Sequence, residues 1–269
     1  QNEFISGQFL WTGADYLGEA GQWPARAFPG GLLDLAGFKK PDAWWRQALW
    51  SDKPMVYLAA SQPRDDDRSP NRRFRRWRGR QRREQWNWTE GSPVRVDCCS
   101  NCPVVDLYLN GKLAGTLTTA DEQRGWRTTE LDFKPGTLEA VGRDNEQQLC
   151  RFALHTAGPP RRVLLQSDAT ELAADGHDVA HLTFAIVDEH GFRVPNAENE
   201  VTFTVDGPVN LLGIDNGRIA GAVDYQDNRC DAYRGRGLAI VRSQRHAGAA
   251  TISAAADGLE PAQITLMVK

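Results

Sequence analysis

The sequence predicts a mainly β protein: two immunoglobulin-like β-sandwiches preceded by a single strand–loop–helix unit. Three observations carry this. From about residue 53 onward, apolar residues recur in short alternating runs bounded by Gly, Asn, Asp and Pro, the period-two pattern of half-buried strands. Gly158-Pro159-Pro160 makes a stiff break that splits these runs into two series. A pronounced helical spacing of apolar residues is confined to residues 42–50, before either series begins.

Residues 4–11, Phe4-Ile5-Ser6-Gly7-Gln8-Phe9-Leu10-Trp11, read as a strand and lead into Thr12-Gly13-Ala14-Asp15-Tyr16-Leu17-Gly18-Glu19. A loop punctuated by Gly and Pro follows to Gly31. Asp42-Ala43-Trp44-Trp45-Arg46-Gln47-Ala48-Leu49-Trp50 then reads as a helix, with Pro41 suited to its first turn because the missing N–H is an orphan there anyway. Residues 1–52 thus form one βα unit. Such a unit leaves strand edges and one helix face in need of neighbours.

The first β series spans residues 53–158, with strands at 55–58, 94–98, 105–109, 127–133, 138–141 and 149–154 and a hairpin signal at Asn110-Gly111. The second spans 161–269, with strands at 162–166, 181–187, 200–205, 237–242, 250–254 and 263–268. Asp175-Gly176, His190-Gly191, Asn216-Gly217 and Asp257-Gly258 punctuate it, and its length suits an immunoglobulin-like module.

The charge is nearly balanced, with 32 basic and 35 acidic residues and a formal net charge of −3. That argues against a surface tuned throughout to nucleic acid or anionic membrane. The exception is local: residues 64–84 carry ten arginines against four acidic residues, with Phe74 and Trp77 interleaved. Arginine beside aromatics is the footprint of phosphate contact with base stacking, so a nucleic-acid or polyanion site is weighed there. A long surface insert between the first strand of its sandwich and Trp86 accounts for it more simply. Trp86 and Trp88 share one face of a strand and read as core or interdomain packing.

No run of apolar residues approaches the length of a membrane span. The chain starts at Gln1, without a basic-then-apolar leader, which says nothing about compartment. The five cysteines, Cys98, Cys99, Cys102, Cys150 and Cys230, are odd in number and cannot all pair within the chain. Cys98, Cys99 and Cys102 lack the second Cys or His pair that zinc needs, and Cys98 and Cys99 point to opposite faces of a strand, so structural thiols are expected. The histidines show no metal-ligand spacing, and neither a phosphate-binding glycine loop nor Gly-x-Ser-x-Gly occurs. No metal or cofactor is expected.

Residues 4–19, then Gly31-Leu32-Leu33-Asp34-Leu35-Ala36-Gly37-Phe38-Lys39-Lys40, then Leu49-Trp50-Ser51-Asp52-Lys53-Pro54-Met55-Val56, resemble the end of the catalytic barrel of glycoside hydrolase family 2, β-galactosidase type. Trp86-Asn87-Trp88, Val105-Asp106-Leu107-Tyr108-Leu109-Asn110-Gly111-Lys112 and the block 163–269 with Gly213-Ile214-Asp215-Asn216-Gly217 are similar to the accessory β-domains that follow that barrel. The resemblance covers nearly the whole chain apart from the arginine-rich insert. It implies that residues 1–52 are the remnant of a (β/α)8 barrel, its last strand and closing helix.

On that resemblance Trp11 stands at the C-terminal end of a barrel strand, where such enzymes gather their chemistry. Its ring would cover the apolar face of a sugar, while Asp15, with Glu19 beside it, would bind hydroxyls or support the loop. No catalytic residue is assigned. Retaining glycosidases need two carboxyl groups about 5–5.5 Å apart, and in this family both precede the last strand; Glu3 enters the strand at its wrong end. The implied ligand is a galactoside-type carbohydrate in the context of a complete enzyme. The implied partner is the rest of the barrel, in the same or another chain, and a homo-oligomer is compatible with it. A periplasmic or extracellular compartment follows from the resemblance alone. Two alternatives stand beside this reading: a stand-alone carbohydrate-binding or adhesion module, and polyanion binding through the insert.

Overall fold

The computed structural model of the protein describes residues 3–4, 6–7, 9–62 and 82–269. The chain forms two compact units, one of residues 39–156 and one joining residues 1–38 to residues 157–269. The segment 1–52 is therefore divided: its helix belongs with the central unit and its first 38 residues with the C-terminal one.

Among the described residues of 4–11, none lies in the strand expected there. The described residues of that stretch are turn or irregular, and 5 and 8 lie outside the described residues. The physical reason is that apolar alternation supplies only one face; a strand also needs a neighbour to take its N–H and C=O groups. No described segment pairs with it. The first ladder instead joins β1 (Tyr16–Leu17) to β2 (Ala27–Phe28), antiparallel, with Tyr16 opposite Phe28.

In the central unit the helix α1 (Pro41–Trp50) forms where the spacing predicts it, with Pro41 in its first turn and Ala43 and Ala48 buried. Trp44 stacks on Tyr57, centroids 5.2 Å apart. After α1 come β3 (Val56–Ser61), β4 (Pro93–Ser100), β5 (Val104–Leu109), β6 (Lys112–Thr118), β7 (Glu122–Gln123), β8 (Trp126–Asp132), β9 (Thr137–Asp144) and β10 (Gln147–His155). They make two four-stranded sheets, ordered β3-β4-β8-β7 and β10-β9-β5-β6. The core lies between them, built from Leu58, Val94, Val96 and Cys98 on one side and Val105, Leu107, Leu138, Ala140 and Leu154 on the other. Trp86 is fully buried in it, its ring edge-on to Phe133 and its indole N–H donating to the Lys134 carbonyl at 3.1 Å. Trp88 packs beside it, half-buried. Cys98 enters this core, whereas Cys99 faces the other way, against Tyr57, Ala59 and Trp126.

Most of the arginine-rich run, residues 63–81, lies outside the described residues. The far end of the run is anchored: Arg83 exchanges both backbone hydrogen bonds with Ala60 on β3, at 2.8 and 2.9 Å. Arg82 lies over the Trp126 ring, 4.0 Å to its centroid, and pairs with buried Asp97 at 3.2 Å.

The C-terminal unit holds β11 (Arg162–Ser167), β12 (Glu171–Leu172), β13 (Val179–Val187), β14 (Glu200–Asp206), β15 (Val209–Asp215), β16 (Arg229–Asp231), β17 (Arg236–Ser243), β18 (Gly248–Ala256) and β19 (Ala262–Val268). Two sheets, β11-β13-β17-β15 and β12-β19-β18-β14-β16, enclose its core. Phe184 and Phe203 meet edge to face at its centre, 5.6 Å between centroids.

The turn after β13 is tied down by Asp188, which is 1% exposed. Its carboxylate accepts from the backbone N–H groups of Gly158, His190 and Phe192 at 2.8, 3.0 and 2.9 Å. Burial pushes its pKa up, but these donors outweigh it and hold the pKa below the usual carboxylate value. A depressed carboxylate stabilises the fold above its unfolded pKa of about 3.9, and that contribution is lost as pH falls through the lower folded value. Urea midpoints are therefore expected to fall between pH 5 and pH 3, and Asp188→Asn should flatten that slope; an unchanged slope would contradict the assignment.

Candidate functional site

The exposed aromatics of the N-terminal segment are positioned by a short loop framework. Leu32 N–H reaches the carbonyls of Thr12 and Gly13 at 3.2 and 3.0 Å, and Leu33 N–H bonds Gly13 at 2.9 Å. Asp15 N–H returns to Leu33 at 2.9 Å. The Asp15 carboxylate accepts from Gly31 N–H at 2.8 Å, and the residue is only 7% exposed. Asp15 thus holds residues 12–15 against 31–33.

Glycine is required where these segments cross. A Cβ on Gly31 would lie 2.1 Å from the Ala14 carbonyl carbon and 2.2 Å from the Asp15 nitrogen. Gly31→Ala is expected to displace residues 12–15, read as loss of the near-ultraviolet circular dichroism of Trp11 and Tyr16 while the far-ultraviolet strand signal persists. Retention of both signals would contradict this.

Trp11 is 74% exposed, and its peptide bond to Thr12 is cis. Its ring stands edge-on to Tyr16, 6.4 Å between centroids and 88° between planes, with its N–H donating to the Tyr16 hydroxyl at 3.4 Å. Tyr16 hydroxyl donates in turn to Glu19, an interaction that raises the Tyr16 pKa above its ordinary value. Tyr16 also leans on Phe28, 5.5 Å away. Chemically this is an open aromatic face with a carboxylate at its edge, able to cover the C–H face of a pyranose while accepting from a hydroxyl.

The segment is clamped within its unit by Arg26. Its backbone N–H donates to the Ile219 carbonyl at 2.8 Å, its guanidinium donates to the Tyr225 hydroxyl at 2.5 Å and to the Arg218 carbonyl at 3.0 Å, and Asp215 lies 3.8 Å away. A second tie joins Asp34 to Arg236 at 3.7 Å, with Arg236 over the Phe38 ring.

Of the two residues expected to bind substrate, Trp11 is open to solvent and Asp15 is turned to the loop framework. Sequence reasoning missed Tyr16, Phe28 and Arg26. Tyr16 and Glu19 fall in the string 4–19, but no periodicity links them to Trp11, because the turn at Gly13 sets their geometry. Arg26 finds its partners 192 and 199 residues away. His181 pairs with Asp168 at 2.8 Å rather than with His177. No described helix is long and apolar enough to cross a membrane.

Comparison with known proteins places this architecture. Residues 163–265 match the model of the glycoside hydrolase family 2 C-terminal domain 5, and residues 91–150 match a domain of unknown function, DUF4982. A β-galactosidase of Bacteroides ovatus is 32% identical over 270 residues, covering 98% of this chain and 29% of its own length. A putative β-glucuronidase of Formosa agariphila is 30% identical over 229 residues, covering 79% of this chain and 19% of its own length. Among solved structures, a glycosyl hydrolase family 2 member from Bacteroides cellulosilyticus superposes with a TM-score of 0.89 at 28% identity, over 98% of this chain and 36% of that one. The chain therefore spans about a third or less of the length of these relatives. It is a C-terminal portion of a glycoside hydrolase family 2 protein.

Proposed function

We propose that the chain completes and braces the catalytic domain of a β-galactosidase-like glycosidase, delivering Trp11 to the sugar site, and that it is catalytically incomplete by itself. The observation that carries this is the open Trp11 ring, held beside Tyr16 and Glu19 on a framework that leaves its face uncovered. The Bacteroides ovatus relative is named a β-galactosidase, which supports the galactoside reading. Residues 1–52 are the end of a (β/α)8 barrel in this reading, and Trp11 lies at the rim where barrel enzymes place substrate. The immunoglobulin-like sandwiches extend and support that barrel. Asp15 serves the site by fixing the backbone on which Trp11 stands.

Chemistry at this site needs two carboxyl groups across one glycosidic bond. The two beside Trp11 are engaged otherwise: Asp15 bonds the Gly31 N–H and Glu19 accepts from Tyr16. The catalytic pair is supplied by the remainder of the barrel. The test is an assay of the longer protein carrying this chain with chromogenic β-galactoside and β-glucuronide in parallel. Preferred hydrolysis of the galactoside is expected; preference for the glucuronide, or turnover of neither, would overturn the assignment.

The exposed aromatic face also favours a second reading, a carbohydrate-binding module in its own right. Titration of the chain with galactose-containing oligosaccharides separates the two. Affinity of the pure chain that is lost in Trp11→Ala would favour the module; no affinity in the chain alone would favour the first reading.

A further inference from the structure

Cys102 and Cys150 are the one pair among the five thiols whose sulfurs meet, Sγ to Sγ 3.5 Å, although the residues are 48 apart in sequence. Cys102 is 2% exposed, in the turn between β4 and β5, where its N–H bonds the Ser100 hydroxyl at 3.0 Å. Cys150 is half-buried on β10. Both sulfurs lie over Gly142 on β9, the cross-strand partner of Cys150. A Cβ at residue 142 would stand 2.7 Å from the Cys150 sulfur and 2.8 Å from that of Cys102, so only glycine leaves room for the two together.

A disulfide needs the sulfurs about 2.05 Å apart, which means closing a gap of about 1.5 Å. The backbone at both ends can supply it. Cys102 sits outside the ladder, and the register of β10 shifts between Gln148 and Cys150, so Leu149 is the extra residue of a bulge. Cys98, though near, is fully buried on β4 in the core between the two sheets, whereas the sulfur–sulfur contact is that of Cys102 with Cys150.

We infer that Cys102 and Cys150 form a built disulfide site, whose oxidation staples the β4–β5 turn to β10. The oxidant is a small-molecule or protein disulfide. Cys150, the more accessible thiol, attacks one oxidant sulfur as thiolate and releases one thiol. Cys102 then displaces the second thiol from the mixed disulfide, so the pair loses two electrons and two protons and the oxidant gains them. Burial, together with the hydrogen bond to Cys102, pushes the Cys150 thiol up to about 12, so exchange starts slowly at neutral pH and quickens in mild alkali.

The experiment takes the whole chain, reduces it, and equilibrates it with excess oxidised glutathione at mildly alkaline pH. Expected are a mass lower by two hydrogens, a single 102–150 linkage in unreduced peptide maps, and a Tm higher by on the order of 10 °C than the reduced protein, from closing a long loop in the unfolded chain. Cys150→Ser, at the half-buried end and so tolerated by the fold, should abolish both the linkage and the Tm difference. Any one of three results would overturn the inference: only glutathione adducts, a 98–150 linkage, or a 102–150 linkage that leaves Tm unchanged.

Discussion

Replacing Trp86 by alanine is expected to destabilise the central unit by about 3–5 kcal/mol, the range for deleting a fully buried aromatic. Several terms act together. The ring is completely enclosed between the two sheets and edge-on to Phe133, so its loss opens a cavity where residues from both sheets converge. The Lys134 carbonyl loses its indole donor, and the Trp86 carbonyl that receives the Thr156 hydroxyl at 2.7 Å shifts with the backbone. A fall of at least about 10 °C in Tm of that unit should follow; a change within about 3 °C would contradict this packing. Trp86→Phe keeps a ring but orphans the carbonyl, and should fall between, about 1–2 kcal/mol.

Trp11→Ala is expected to do the opposite: leave the fold intact and remove binding. At 74% exposure its truncation should change stability by no more than about 0.5 kcal/mol. On the proposed function, loss of the Trp11 ring from a longer protein carrying this chain should lower kcat/KM for a chromogenic β-galactoside about 10- to 100-fold, equivalent to about 1.4–2.7 kcal/mol. Trp11→Phe should recover part of that loss, because a smaller ring still covers C–H groups. Unchanged kcat/KM in Trp11→Ala, in protein of unchanged Tm, would remove Trp11 from the site.

These two tryptophans also mark what the sequence makes legible. The alternation of Trp86 with Trp88 reads as a strand, but residues 85–89 are irregular; Trp86 is nonetheless core, as expected of an indole beside a run of strands. Period two is a local property of the chain and does mark β3, β4, β5, β8, β9 and β10, and β11, β13, β14, β17, β18 and β19. The β6 strand escaped because Leu113, Gly115 and Leu117 are separated by polar or small residues, and most of it is exposed. The β15 strand escaped because Gly213 and Asp215 read as turn formers, yet a bulge beside Leu211 absorbs the irregularity. Residues 4–11 fail in the other direction: they carry strand-forming residues, but a strand is a property of two segments. The site shows the same division. Trp11 and Asp15 stand out in a local string, whereas the hydrogen bond that turns Asp15 inward comes from Gly31, and the clamp on Arg26 comes from residues of β15 and the loop beyond it. Long-range partners of this kind leave no periodic trace.

The most direct test of the central claim is the turnover of a chromogenic β-galactoside by the pure 269-residue chain, set against the longer protein at equal molar concentration. The account predicts hydrolysis by the longer protein and none above the buffer rate by the chain alone. Robust turnover by the pure chain would contradict it.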